Sequence, residues 1–200
     1  MNKFSRRQFL YSTALILAAP GSSLALWSSD EKKGVLPGPD NIRGKIFKGD
    51  APDKPGKWSK EGFLYTKIGN RNVICGICPH RCQLSPGDRS VCRSKVNIDG
   101  TLYSLSYGNP CTVNVDPIEK KPLFHFKPRT KSFSLAAAGC NFRCLNCQNW
   151  EISQAKPGEV RHSELFPEDV VRAALKTGSE SIAYTYSEPI SYFEYMIDIA

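Results

Sequence analysis

A chain of 200 residues with 40% apolar content, 15 glycines and 14 prolines has the make-up of a globular protein with one core or two small ones, which excludes a wholly disordered chain. The 27 lysines and arginines against 19 acidic residues give +8, but Lys3, Arg6 and Arg7 fall in a leader-like segment, and without residues 1 to 25 the balance is about +5. The remaining basic residues are scattered, at Lys32 and Lys33, at Lys120 and Lys121, and at Lys127, Arg129 and Lys131; with no long stripe and no recognisable binding module, a nucleic-acid partner is not expected.

Residues 1–27 begin with charge, continue with an apolar run from Leu10 to Ala19 and end in small residues near Ala25, the order of a targeting segment. The run is interrupted by Pro20 and Gly21 and is shorter than the roughly 20 apolar residues of a membrane span. Its start, Ser5-Arg6-Arg7-Gln8-Phe9-Leu10, resembles the twin-arginine leader, which carries folded proteins out of the bacterial cytoplasm. The resemblance implies a periplasmic or membrane-associated protein with transient membrane contact through the leader; an uncleaved amphipathic anchor or a cytoplasmic protein is the alternative. Residues 28–62, rich in Pro, Gly, Asp and Lys, read as a linker, with order expected from about Phe63.

Residues 63–130 read as a Cys-rich module with small antiparallel strands. Cys75-x2-Cys78-x3-Cys82-x9-Cys92 is a set of four ligands suited to zinc or to an iron–sulfur cluster. Two disulfides are the alternative, disfavoured because closely set cysteines converge on one ion more readily than they fold back into separate bridges. His80, inside the loop, is a substitute ligand or a hydrogen-bonding partner, and Cys111 is a small buried hydrophobe. Thr101 to Tyr107 and Cys111 to Val115 are expected to form a hairpin around Gly108-Asn109-Pro110. The segment "DPIEKKPL" is a polar turn, either a plain connection or a loop for an electron donor or substrate.

Residues 131–200 begin with Ser132 to Ala138, a short buried strand of small residues that turns at Gly139 into Cys140-x3-Cys144-x2-Cys147. Four thiolates close a tetrahedral zinc site or saturate a cubane cluster; three leave one position open, and an open position is where chemistry enters. Zinc, or a structural cluster with a remote fourth ligand, is the other reading. Pro167 to Gly178 carries Val170, Val171, Ala174 and Leu175 on one face, with Pro near its start and Gly at its end, and is predicted as a helix. Ser181 to Tyr186 is predicted as a strand leading to Glu188, and Ile190 to Ala200 has helical composition.

Together these motifs carry a resemblance. Cys140-x3-Cys144-x2-Cys147 matches the signature of the radical S-adenosylmethionine superfamily, and "GCNFRCLNCQNWEIS" is similar to the branch around the pyruvate formate-lyase activating enzymes. More narrowly, "CGICPHRCQLSPGDRSVCR", "DPIEKKPLFHFKP" and "AYTYSEP" resemble AmmeMemoRadiSam-type radical proteins of that superfamily. The resemblance implies an α/β fold in which the Cys-rich module precedes the first β/α units of a partial (β/α)6 barrel, cut short at the C-terminus. It implies an enzyme whose 4Fe–4S cluster on Cys140, Cys144 and Cys147 cleaves S-adenosylmethionine reductively, producing a 5′-deoxyadenosyl radical that modifies or activates a substrate. Tyr186, Ser187 and Glu188 are implied contacts to S-adenosylmethionine, and Gln148, Asn149 and Trp150 walls of the cluster. Cys75, Cys78, Cys82 and Cys92 would hold a second iron–sulfur cluster or zinc, the cluster favoured because the neighbouring site already needs iron and electrons. The partners implied are an electron donor such as a flavodoxin or ferredoxin and a protein or small-molecule substrate. A two-cluster electron-transfer protein and a zinc-binding interaction module without S-adenosylmethionine chemistry are the alternatives. Three residues depart from the family pattern: Asn146 stands where an aromatic residue is common, Arg129 follows Pro128 where a glycine is expected, and Ser90 replaces another expected glycine.

Overall fold

The computed structural model describes residues 44–200, which lie in one compact unit, Pro39–Ala200. The leader-like segment 1–27 and the first part of the linker lie outside the described residues. Among the described residues no helix is long and apolar enough to cross a membrane.

Three three-stranded sheets make up the β-structure. The first has the order β1-β6-β5, from β1 (Lys60–Glu61), β5 (Lys95–Ile98) and β6 (Thr101–Ser104); the second has the order β2-β3-β4, from β2 (Tyr65–Ile68), β3 (Asn72–Cys75) and β4 (Gln83–Leu84). Both are antiparallel throughout. Side chains alternate across a strand, so Val73 and Cys75 of β3 point to one face, and with Leu84, Val91 and Leu102 they form a small core of the Cys-rich part.

The third sheet has the order β7-β8-β9, from β7 (Thr112–Pro117), β8 (Lys131–Ala136) and β9 (Ser181–Tyr184). The central strand β8 pairs antiparallel with β7, in register from Thr112 opposite Ala136 to Pro117 opposite Lys131, and parallel with β9. Helix α1 (Trp150–Ser153) lies between β8 and β9 in sequence, as does α2 (Pro167–Lys176); α3 (Phe193–Ile199) follows β9. Pro167 at the first helical position, Glu168 and Asp169 in the first turn and Lys176 in the last suit the helix dipole of α2. Its Val170 and Ala174 pack with Phe133, Leu135 and Ala137 of the β8 segment and with Tyr192, Tyr195 and Ile199 in the second core.

The expected partial barrel is not formed. The described residues contain a single parallel strand pair, β8 and β9, and the three sheets do not close on one another. The reason lies at the edge of β8 that a barrel strand would use: β7 occupies it through a six-residue antiparallel ladder. The same ladder removes the expected hairpin of 101–107 with 111–115, since β6 instead pairs with β1 and β5. Residues 44 to 62, read as linker, make specific contacts: Phe47 and Arg89 form a two-way backbone bridge, and β1 extends the first sheet.

A buried ion pair joins the two halves. Lys95 of β5 and Glu194 of α3 are 1% and 0% exposed, and their ammonium and carboxylate are in direct contact. Removing one partner from such a pair strands a buried charge, whereas replacing both with apolar residues of similar volume does not. Glu194→Leu alone is expected to lower stability by about 3–5 kcal/mol, and adding Lys95→Met should recover most of that loss in urea unfolding. Equal losses in the single and double variants would show that the pair does not couple the two halves.

Candidate cluster-binding basin and four-cysteine cavity

Three loops converge beyond the C-terminal end of β8. The strand continues as Ala137 and Ala138, and Gly139 then adopts φ +95, a left-handed conformation that side chains disfavour. The carbonyl oxygen of Cys92 occupies the place where a Cβ on Gly139 would stand. Glycine is therefore required twice at this position, by conformation and by contact. The turn places Cys140 at the buried base of an open basin of about 560 Å³, which Cys144 and Cys147 also line. Burial pushes the Cys140 thiol up, while the amide groups of Phe142 and Glu188 act in the opposite direction. Cys144 is exposed and Cys147 half-buried, 3.4 Å from the Ser153 hydroxyl of α1.

Tyr186, Ser187 and Glu188, some 40 residues later in the chain, line the same basin. They lie just past β9, which ends at Tyr184, two residues earlier than expected. The Ser187 amide donates to the Thr185 carbonyl at 2.8 Å, and the intervening Tyr186 has φ +65, which makes this a strained γ-turn. Backbone strain of this kind costs about 1–3 kcal/mol and persists only where neighbours over-determine it. Here the Asn149 amide donates to the Tyr186 carbonyl at 3.0 Å, and the Tyr186 hydroxyl donates to Asp116 at 2.6 Å. The Ser187 hydroxyl is engaged with the Ala137 carbonyl at 2.8 Å, which ties the turn to the end of β8.

Asp116, Lys120 and Lys121 were not among the site residues expected from sequence. The short "DPIEKKPL" segment brings both lysines to the basin wall, where they bond Asp116 at 2.9 and 2.6 Å. Burial alone would raise the Asp116 carboxyl, but hydrogen bonds from Lys121, Tyr186 and Lys120 outweigh it and hold the group well below the usual carboxylate range. The paired lysines and the isolated "YTYSEP" turn were both visible in the sequence; their convergence depends on the β7/β8 register. Of the expected cluster walls, Gln148 and Asn149 line the basin, while Trp150 is 62% exposed and belongs to no core. Asn146 is exposed on the loop.

The first cysteine group gathers elsewhere. Cys75, Cys78, Cys82 and Cys92 all line one small, partly enclosed cavity of about 10 Å³, together with His80 and Lys95. Burial pushes the Cys75 thiol up to about 12 and Cys82 to about 11, and it also raises Cys78. All eight cysteines are free thiols. Among the described residues no three His, Cys, Asp or Glu side chains already stand in ion-holding geometry. His80 uses Nε2 in a 2.8 Å hydrogen bond with the Asn141 carbonyl, one residue beyond Cys140, and so bridges the two cysteine loops. Cys111, half-buried, has its thiol 3.5 Å from the Ala136 carbonyl.

No family model matches the chain, and no solved structure matches it. Among curated proteins it is 48% identical over 139 residues to the uncharacterized protein MJ0808 of Methanocaldococcus jannaschii, a match covering 70% of this chain and 42% of that protein. It is 33% identical over 81 residues to the uncharacterized protein MJ0674 of the same organism, covering 40% of this chain and 19% of the relative. The chain thus spans less than half the length of these relatives.

Two expectations follow from the geometry. Gly139→Ala should separate the Cys92 and Cys140 loops and destabilise the protein by more than ~1 kcal/mol, whereas an unstrained Gly→Ala change would stabilise it; chemical unfolding measures the loss, and an effect no larger than that of Gly49→Ala, equally left-handed but with nothing near its Cβ, would contradict the contact. Because the Asp116 pKa is depressed on folding, its contribution is present at neutral pH and lost as pH falls below the unfolded carboxylate range toward the folded value. Asp116→Asn should therefore flatten the acid limb of a urea-midpoint profile between about pH 5 and pH 2, while lowering stability at pH 7.

Proposed function

We propose that this chain carries the cluster-binding part of a radical S-adenosylmethionine iron–sulfur protein. The observation that supports this reading is the shared basin: Cys140, Cys144 and Cys147 line it together with the strained Tyr186–Glu188 turn, although the two motifs are about 40 residues apart in the chain. The donor set fits the group. Three sulfurs leave one coordination position open, the Ser153 hydroxyl lies beside Cys147, and Lys120 and Lys121 supply positive charge on the wall of a site that would receive an anionic cluster. When bound, a 4Fe–4S cluster supplies the electron that cleaves S-adenosylmethionine reductively to a 5′-deoxyadenosyl radical.

The chain's own residues divide the remaining work. Cys140 anchors one ligand on the rigid end of β8, while Cys144 and Cys147 come from a loop able to close around the cluster. Asp116 and Asn149 hold the Tyr186 turn against the basin, which keeps Glu188 at its rim, where a carboxylate suits the amino group of the cosubstrate. The exposed Cys144 and Leu145 leave that side open to an electron donor such as a flavodoxin or ferredoxin. The substrate would be a protein or a small molecule.

Anaerobic reconstitution of the full chain with iron and sulfide tests the reading. The expected outcome is about four irons and four acid-labile sulfides on the three-cysteine site, with a reduced-state paramagnetic resonance spectrum that changes when S-adenosylmethionine is added. Cys144→Ala should abolish both. Unchanged iron loading and an unchanged response in that variant would refute the ligand assignment.

A further inference from the structure

We propose that Cys75, Cys78, Cys82 and Cys92 together bind a single zinc ion as four thiolates, in a site distinct from the three-cysteine basin. Two loops bring the four sulfurs to one place. The Cys75 amide donates to the Cys82 carbonyl at 3.0 Å, closing the first loop at the β3/β4 end, and the Arg81 amide donates to the Cys78 carbonyl at 3.1 Å within it. In the second loop the Arg93 amide reaches the Ser90 carbonyl at 3.0 Å, and the Arg89 guanidinium donates to the Arg93 carbonyl at 2.8 Å. Cys92 is held between these bonds.

The donor set points to a single ion. Four cysteines from two loops line one small cavity, and four thiolates close a tetrahedral zinc site with no position left open. Zinc has no geometric preference of its own and takes four cysteine thiolates tetrahedrally in closed structural sites. No three of the donors yet stand in ion-holding geometry, so loading draws the sulfurs inward by side-chain rotation, and the thiols give up their protons to solvent.

The surroundings suit a tetrathiolate. The Ser90 hydroxyl lies 3.1 Å from the Cys92 sulfur and can donate to it, whereas the Ser94 hydroxyl, also at 3.1 Å, gives its proton to the Ser191 carbonyl at 2.6 Å. Ser90, the departure from the expected glycine, thus supplies a polar contact to a ligand sulfur. Lys95 lines the cavity while its partner Glu194 does not, so the member of the buried pair nearer the four cysteines is the cation. Because the Cys92 carbonyl rests on Gly139 and His80 bonds Asn141, an ion here would also brace the loop that carries Cys140.

This inference does not depend on radical chemistry at the other site, and the test separates the two. The full chain with Cys140, Cys144 and Cys147 all changed to Ala, purified anaerobically without reconstitution, should retain about one zinc per chain and no acid-labile sulfide; adding Cys82→Ser should remove the zinc. Zinc-edge X-ray absorption on the unsubstituted chain, which avoids any folding defect of the variants, should show four sulfur neighbours at about 2.3 Å. Iron with sulfide in the triple variant, disulfides among the four cysteines, a zinc shell containing nitrogen or oxygen, or folded protein without bound metal would each overturn the proposal.

Discussion

The contact between Gly139 and the Cys92 carbonyl is the constraint on which the arrangement of both cysteine groups depends. It forces two loops from different sheets into backbone contact, which only a residue without a side chain in a left-handed conformation permits. The His80 hydrogen bond to the Asn141 carbonyl and the Ser191 hydroxyl donated to the Gly139 carbonyl at 3.1 Å hold the same junction from two other sides. The four-cysteine cavity and the open basin thus share a few backbone and side-chain contacts.

Electrostatics distinguishes the two places. The four-cysteine cavity is small and partly enclosed, and burial favours the neutral thiols of Cys75, Cys78 and Cys82. The basin is open, and its charges are organised around Asp116, which gathers two lysines and the hydroxyl of a strained tyrosine. Asp116 is buried and Lys121 nearly so, and the ionised carboxylate contributes stability at neutral pH. It is also positional: it holds Tyr186 in a conformation that the backbone does not favour.

Local chemistry was legible in the sequence wherever the signal was short-range. The helix at Pro167–Lys176 follows from its apolar face, its leading proline and its trailing glycine, and the buried strand at Lys131–Ala136 follows from a run of small residues before Gly139. The eight cysteines and their spacing were visible in the same way. Seven of them, in a four-member and a three-member group, line two separate places, and Cys111 stands apart from both.

The partners of those elements were not legible, because strand pairing and sheet closure depend on residues far apart in the chain. A parallel barrel and a short mixed sheet begin with the same strand, turn and helix, and what separates them is which segment takes the free edge of β8. The polar "DPIEKKPL" turn brings β7 back along that edge in antiparallel register, so the sheet stops at three strands and Lys120 and Lys121 arrive at the basin. Lys95 and Glu194 look like ordinary surface charges in sequence; only their burial against each other between β5 and α3 makes them a pair. The sequence by itself determined the spacing of the thiols and the local turns, since these require only neighbouring residues. The tertiary structure decided which loops meet, because that depends on long-range packing and on one glycine with no side chain to keep them apart.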